Sequence, residues 1–210
     1  YICKNMNCEL NVLSKPDGSV ILSQADAVVV ASVYGPYEMK HTKIEDDMPF
    51  QVTFKPKAGP TNNLCKTYED MIRGACESVI FRKSYNRHET TLLVQELQSG
   101  GSVLPCAINA SCLALINSGI DMQHMIAAAS CVIDKDGHFY VHPDRQQTKN
   151  ACKLVTASFE SVNQNIITLT TEGPFTEIEF EQAVKICREA AIKVFDYYKD
   201  LVKQYANAIL

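Results

Sequence analysis

Apolar and polar positions divide the chain into a β-rich opening, a helix, a strand, a second helix, further strands and a long closing helix. Residues 8–14 lead into the turn Lys15-Pro16-Asp17-Gly18, and two β-rich runs follow, Ser19–Ser23 and Ala27–Tyr34. Gly35-Pro36 is expected to end the second. After a polar stretch from Glu38 to Asp47, Phe50-Gln51-Val52-Thr53-Phe54 alternates as a half-buried strand does. The pattern predicts an antiparallel meander for the opening quarter. Tyr68, Met71, Ile72, Ala75, Cys76, Val79 and Ile80 then mark one stripe of an amphipathic helix.

Residues 90–98 predict a strand, and 104–118 a helix apolar on nearly every side, hence buried. Gly119 stands where that helix needs a left-handed cap. Ala107, Ala110, Ser111 and Ala114 are small enough to let other elements approach closely. Met125–Ile133 and His138–His142 flank the turn Asp134-Lys135-Asp136-Gly137, a hairpin signature. Cys152–Phe159 and Ile166–Thr171 predict two more strands. A helix from about 177 to past 198 closes the chain, with Thr176 and Glu179 as a capping box and Phe175 and Phe180 as a hydrophobic staple. The expected class is α+β: antiparallel or mixed sheets layered with a buried central helix and a long C-terminal helix.

Composition narrows the function. The 210 residues suit one large domain or two intimate halves. No basic-then-apolar leader opens the sequence, and no apolar run nears the ~20 residues of a membrane span. The net charge of −4 argues against indiscriminate polyanion binding, so nucleic-acid contact must come from a local patch. The densest cluster is Arg82, Lys83 and Arg87 beside Tyr85. It reads as a phosphate-backbone contact or as a solvated loop. Nine cysteines without a C-x-x-C pair, among them Cys76, Cys112 and Cys187 on apolar helix faces, read as reduced core residues of a cytosolic or nuclear protein. They are not expected to bind metal. Glu45, Asp46 and Asp47 form a loop run open to solvation or to metal, and His142 with Asp144 is expected in a surface turn.

The segment Gly100-Gly101-Ser102 opens the buried helix. Free N–H groups at such a turn suit an anion, and the alternative is a tight turn that only feeds a core helix. A phosphate-using enzyme adds a fixed cation there. No Lys or Arg occurs from Thr90 through His124.

Three further stretches carry a resemblance: Asn11 through Ser19 (NVLSKPDGS), Val33-Tyr34-Gly35-Pro36, and Gly100-Gly101-Ser102 with Asn109-Ala110. In this order they resemble the RNase PH family, above all its members in the ring of the eukaryotic RNA exosome. The resemblance extends over nearly the whole chain. Among ring subunits it is most similar to the short type descended from the archaeal catalytic subunit, with a Cys-Glu pair at Cys76-Glu77. It implies a single RNase PH-like domain over 1–210, a place beside other RNase PH-like subunits, RNA as a partner, no cofactor, and residence in nucleus, nucleolus and cytoplasm.

Active members degrade RNA from its 3′ end with inorganic phosphate, and their turn reads roughly Asp-Gly-Gly-Thr-Arg. Here Ser102 keeps the hydroxyl, Val103 or Leu104 stands for the Arg, and Ser99 for the Asp. Their downstream acidic pair falls on His142 and Thr148. Their Arg-Ser-Leu-Arg element falls on Gly74-Ala75-Cys76-Glu77. The resemblance therefore implies no catalytic residues and a degenerate phosphate site at Gly100, Gly101 and Ser102, while RNA contacts from Arg82, Lys83 and Arg87 with Arg73 are expected from their clustered charge. Two rivals stay open: a residual nuclease using Ser102, His142 and Asp144, and a homodimeric nucleic-acid-binding form.

Overall fold

The computed structural model describes residues 6–38, 49–85 and 88–209, with backbone alone at 82, 83 and 207–209. Its first sheet holds β1 (Met6–Leu10), β2 (Gly18–Gln24), β3 (Ala27–Glu38), β5 (His88–Gln98) and β4 (Phe50–Lys55), in that spatial order. β1, β2 and β3 form the expected antiparallel meander. β4 does not join it. It pairs β5 in parallel, with Val52 opposite Leu92, and lies at the sheet's edge. The cause is connectivity: α1 (Asn63–Glu77) intervenes between β4 and β5, and a helical crossover delivers a parallel neighbour. β5 takes the free edge of β3 instead.

Gly35-Pro36 does not end β3 either. The strand absorbs the pair in a register shift between Tyr34 and Tyr37 and pairs again from Tyr37, opposite Glu89. A residue without an N–H is tolerated where the ladder is already interrupted. Helix α1 is capped by Asn62, whose side chain accepts from the Cys65 N–H at 3.0 Å. It stops at Glu77, so Val79 and Ile80 extend the apolar stripe beyond the helix and are buried there.

The second sheet is antiparallel throughout, in the order β7 (Phe139–Val141), β6 (Ile126–Ile133), β8 (Lys153–Glu160), β9 (Ile166–Glu172). Helix α2 (Val103–Ser118) lies between the sheets, against β2 and β3 on one side and β6 on the other. Every residue from Leu104 to Leu115 is buried, and Gly119 caps the end at φ 75°. A fully buried Leu or Ile in such a position contributes roughly 1.5–3 kcal/mol. Small residues set the spacing, as the sequence indicated: a Cβ on Gly18 would come 2.5 Å from the Ala114 carbonyl oxygen.

Helix α4 (Glu177–Ile209) covers the outer face of the second sheet. This explains why β6, with sequence IAAASCVI, is buried at all eight positions: helices cover both its faces. The start of α4 is capped as its sequence predicts. Thr176 N–H donates to Glu179 at 2.9 Å, and Phe175 meets Phe180 edge to face at 6.5 Å. Where a surface turn was expected after His142, a short helix forms, α3 (Arg145–Asn150). No described helix is long and apolar enough to cross a membrane. The described cysteines are free thiols, buried except Cys152, and burial pushes Cys106 and Cys112 up to about 12. At neutral pH those two are packing residues, not nucleophiles.

Candidate functional site

The turn Gly100–Ser102 joins the central strand β5 to the buried helix α2. Neither glycine has a positive φ. They are glycines because neighbours crowd them. A Cβ on Gly100 would come 2.5 Å from the Ala27 nitrogen, and one on Gly101 would overlap the Pro143 carbonyl and the Thr148 hydroxyl. The Gly101 N–H donates to Asp26 Oδ1 at 3.1 Å, while Asp26 Oδ2 accepts from the Arg145 N–H at 2.8 Å. A carboxylate from the β2–β3 hairpin therefore takes the first amide of the turn.

Ser102 is 1% exposed, and its Oγ lies 2.9 Å from Ser130 Oγ and 3.3 Å from the Pro143 carbonyl oxygen. Its hydroxyl is turned into the protein. Thr148 Oγ1 sits 3.3 Å from the Gly101 carbonyl and 3.1 Å from that of Asp144, where it ties α3 to the turn.

His142 is not in a surface turn. It is 1% exposed with φ 48°, and its Nδ1 lies 2.9 Å from Gln24 Nε2, which donates to it. Burial alone holds it down to about 4, so the imidazole is neutral near pH 7. Gln24 in turn accepts from Asn109 Nδ2 at 2.9 Å. Asn109 is the hub: its Nδ2 also donates to the Ala128 carbonyl at 3.0 Å, and its Oδ1 accepts from the Ala128 N–H at 2.7 Å. Buried polar groups demand such partners, and here the chain from β2 through α2 to β6 supplies them. Asp144 belongs elsewhere, opening α3 with its N–H bonded to Gln147 Oε1 at 3.0 Å. Ser102 and His142 thus bond other partners, Ser130 and the Pro143 carbonyl for the one and Gln24 for the other.

Beside the turn a cleft of about 260 Å³ lies between α1, the start of α2 and strands β8 and β9. Leu64, Thr67 and Met71 line it from α1, Val103 and Leu104 from α2, and Ser130, Thr156 and Thr170 from the second sheet. Among the described residues, Glu172 is the only fully charged side chain on its wall. Burial first, and Glu172 second, push up the phenol of Tyr68 in the same wall. Gly74 falls one turn further along the stripe of Leu64, Thr67 and Met71. It bears no side chain, and open space surrounds the place where one would start. Ala75 and Cys76 are buried in the core, and Glu77, half-buried, ends the helix.

Of the expected cationic patch, the described residues show only part. Arg73 is exposed on α1 and paired with Asp70. Arg82 and Lys83 lie in a 3-10 turn, Arg82–Tyr85. Their side chains, all of Arg87, and the acidic run Glu45, Asp46 and Asp47 lie outside the described residues. Asp26, Gln24, Lys57 and Arg145 were not singled out by sequence. The bracketing strands placed Asp26 in a turn, but no local signal names a partner 75 residues away.

The fold has known counterparts. The family model for RNase PH, described as the 3′ exoribonuclease family, domain 1, matches residues 3–121. The Arabidopsis thaliana protein named exosome complex exonuclease RRP46 homolog is 28% identical over 218 residues, covering 95% of this chain and 91% of that one. The exosome complex component RRP46 of Saccharomyces cerevisiae is 29% identical over 187 residues, with 82% and 84% covered. The crystal structure of rice (Oryza sativa) Rrp46 superposes with a TM-score of 0.87 at 25% identity, over 94% of each chain. With its layered sheets, buried helix and glycine turn, the chain belongs to the RNase PH family of 3′ exoribonucleases.

Proposed function

We propose that this chain is a ring subunit of an RNA exosome that supports 3′-to-5′ RNA processing without carrying out phosphorolysis itself. The relatives named as exosome components support the assembly half of this reading. The observation that carries the other half is the state of the turn: the Gly101 amide is spent on Asp26, and the Ser102 hydroxyl on Ser130 and Pro143. Phosphorolysis needs a bound phosphate dianion held against further developing charge. One charge-assisted bond to it contributes about 1.5–3 kcal/mol, and the transition state leans on such bonds more heavily. Among the described residues, the cleft beside the turn is lined by Glu172 and by no Lys or Arg. A fold can keep its geometry after losing its chemistry.

In this reading residues 1–210 act as one RNase PH-like domain beside other RNase PH-like subunits, in nucleus, nucleolus and cytoplasm. Arg82, Lys83 and Arg87, with Arg73, contribute salt-sensitive contacts to RNA phosphates. The purified chain, given labelled RNA, phosphate and Mg²⁺, releases no nucleoside diphosphate. Release that Ser102→Ala abolishes would overturn the reading in favour of a residual phosphorolytic enzyme. Solution mass and co-purifying subunits test the assembly half, and a stable homodimer with no ring partners would reject it. In the assembled ring, Arg82→Glu with Lys83→Glu lowers RNA crosslinking and leaves the ring intact; loss of assembly would assign the loop to a protein neighbour.

A further inference from the structure

A second cleft, of about 590 Å³, opens beside the same turn and is polar where the first is largely apolar. Its walls are the segment after β4 with Lys57, the end of β5 with Glu96, Gln98 and Ser99, the β2–β3 hairpin with Asp26, and Arg145 at the start of α3. The two carboxylates already have main-chain donors. Asp26 accepts from the Gly101 and Arg145 N–H groups, and the buried Glu96 accepts from the Lys57 N–H at 3.2 Å.

The cations are placed differently. Among the described residues, neither the Lys57 ammonium nor the Arg145 guanidinium makes an ion pair or side-chain hydrogen bond. They come from different elements and face one polar space together with the exposed Gln98 and Ser99, neutral groups able to donate to an oxyanion. Two unspent cations around a polar cleft are the chemistry of a phosphate contact. The two carboxylates bond main-chain donors and form no ion pair with these cations among the described residues.

We propose that this cleft binds a phosphate group, supplied as a phosphodiester of single-stranded RNA. The choice of RNA as the source rests on the functional reading above; the phosphate chemistry does not. The site serves retention of RNA, not its cleavage, because it holds no nucleophile or base placed for reaction.

The test is binding by the full chain outside any ring, so failure of ring assembly leaves it unaffected. Fluorescence anisotropy with a 5′-labelled oligouridylate is measured across a salt series for wild type and for Lys57→Gln with Arg145→Gln. Inorganic phosphate is titrated separately by calorimetry. The double substitution is expected to weaken the oligonucleotide at least about tenfold. It should also reduce the slope of log K against log salt by about 0.7, as for one lost phosphate contact on a single strand. Lys199→Gln, which removes a cation paired with Asp196 on α4, should change neither. Unchanged RNA affinity and slope in the double variant overturn the proposal, as does an equal loss in Lys199→Gln. Loss of inorganic phosphate alone assigns the site to the free ion and overturns the RNA assignment. Competition by hexaglutamate as effective as by RNA assigns it to an acidic protein segment and overturns it too. Both variants keep the wild-type melting profile if the lost contact is to ligand.

Discussion

The two flanks of the glycine turn treat their polar groups in opposite ways. On the inner flank the polar groups bond within the protein: Ser102 with Ser130 and Pro143, His142 with Gln24, Asn109 with Gln24 and Ala128. On the outer flank Lys57 and Arg145 line a cleft with no such partners among the described residues. The inner flank holds residue types that do chemistry elsewhere, Ser102 and His142, bonded to groups of the protein itself. The lesson is that a retained Ser or His measures nothing until its hydrogen bonds are counted, because a group saturated by its own protein has none left for a substrate.

If the inner flank is structural, substitutions there must cost stability, and the largest loss belongs to its hub. Asn109→Ala strands the Ala128 N–H and carbonyl and one acceptor of Gln24, all buried. Chemical denaturation should register a loss of roughly 4 kcal/mol, since each stranded buried group costs about 1–3. A loss below 1 would mean the network is not holding α2 to β6.

Acid should expose the next weakness. His142 is lowered from 6.5 to about 4 by burial, so between those values the unfolded chain binds a proton that the folded chain refuses. Stability from this group is complete above pH 6.5 and declines as pH falls toward 4, by about 3 kcal/mol in total. His142→Gln should flatten that part of the pH–stability curve, while the separate loss tied to Glu179, lowered to about 2 chiefly by its bond to Lys153, stays below pH 4.5. A curve equally steep in the variant would place the imidazole in water.

A smaller effect is expected at Gly101→Ala, where the added carbon meets the Pro143 carbonyl and Thr148 and must push α3 away from the turn. About 2 kcal/mol is the cost to look for by thermal melting. The comparison sharpens most at the smallest effect. Lys57→Gln and Arg145→Gln should each leave folding stability within about 0.5 kcal/mol of wild type. A large loss from either would show that the outer flank, too, is architecture.

Much of this architecture is legible in the sequence because it is local. The bounds of α2, the capping box at Thr176 and Glu179, and the hairpin turn at Asp134–Gly137 each follow from residues within one or two turns of chain. What escaped is long-range or context-set. Alternation in Phe50–Phe54 marks a strand but not its partner, so the insertion of β5 between β3 and β4 was invisible. Gly35-Pro36 reads as a stop until a bulge accommodates it. His142 looks solvated because polarity near a Pro-Asp pair suggests a turn, and only Gln24 from β2 makes its burial possible. At the site, the lack of any Lys or Arg from Thr90 through His124 is read directly from the sequence. The Asp26 carboxylate bonded to the turn is not, since it arrives from another hairpin.

The strand order also sets a timetable. During synthesis β1, β2 and β3 can pair as soon as they emerge, but the other edge of β3 must wait for β5. In the interval the ribosome adds β4, which has no partner of its own yet, and α1, which has no finished sheet to rest on. A partly apolar strand thus stands with open N–H and C=O groups while a quarter of the protein is still being made, and such an edge is a template for unwanted pairing. The chain is most exposed to aggregation before its buried helix exists, and the arrival of β5 ends that period by closing both β3 and β4 in a single step.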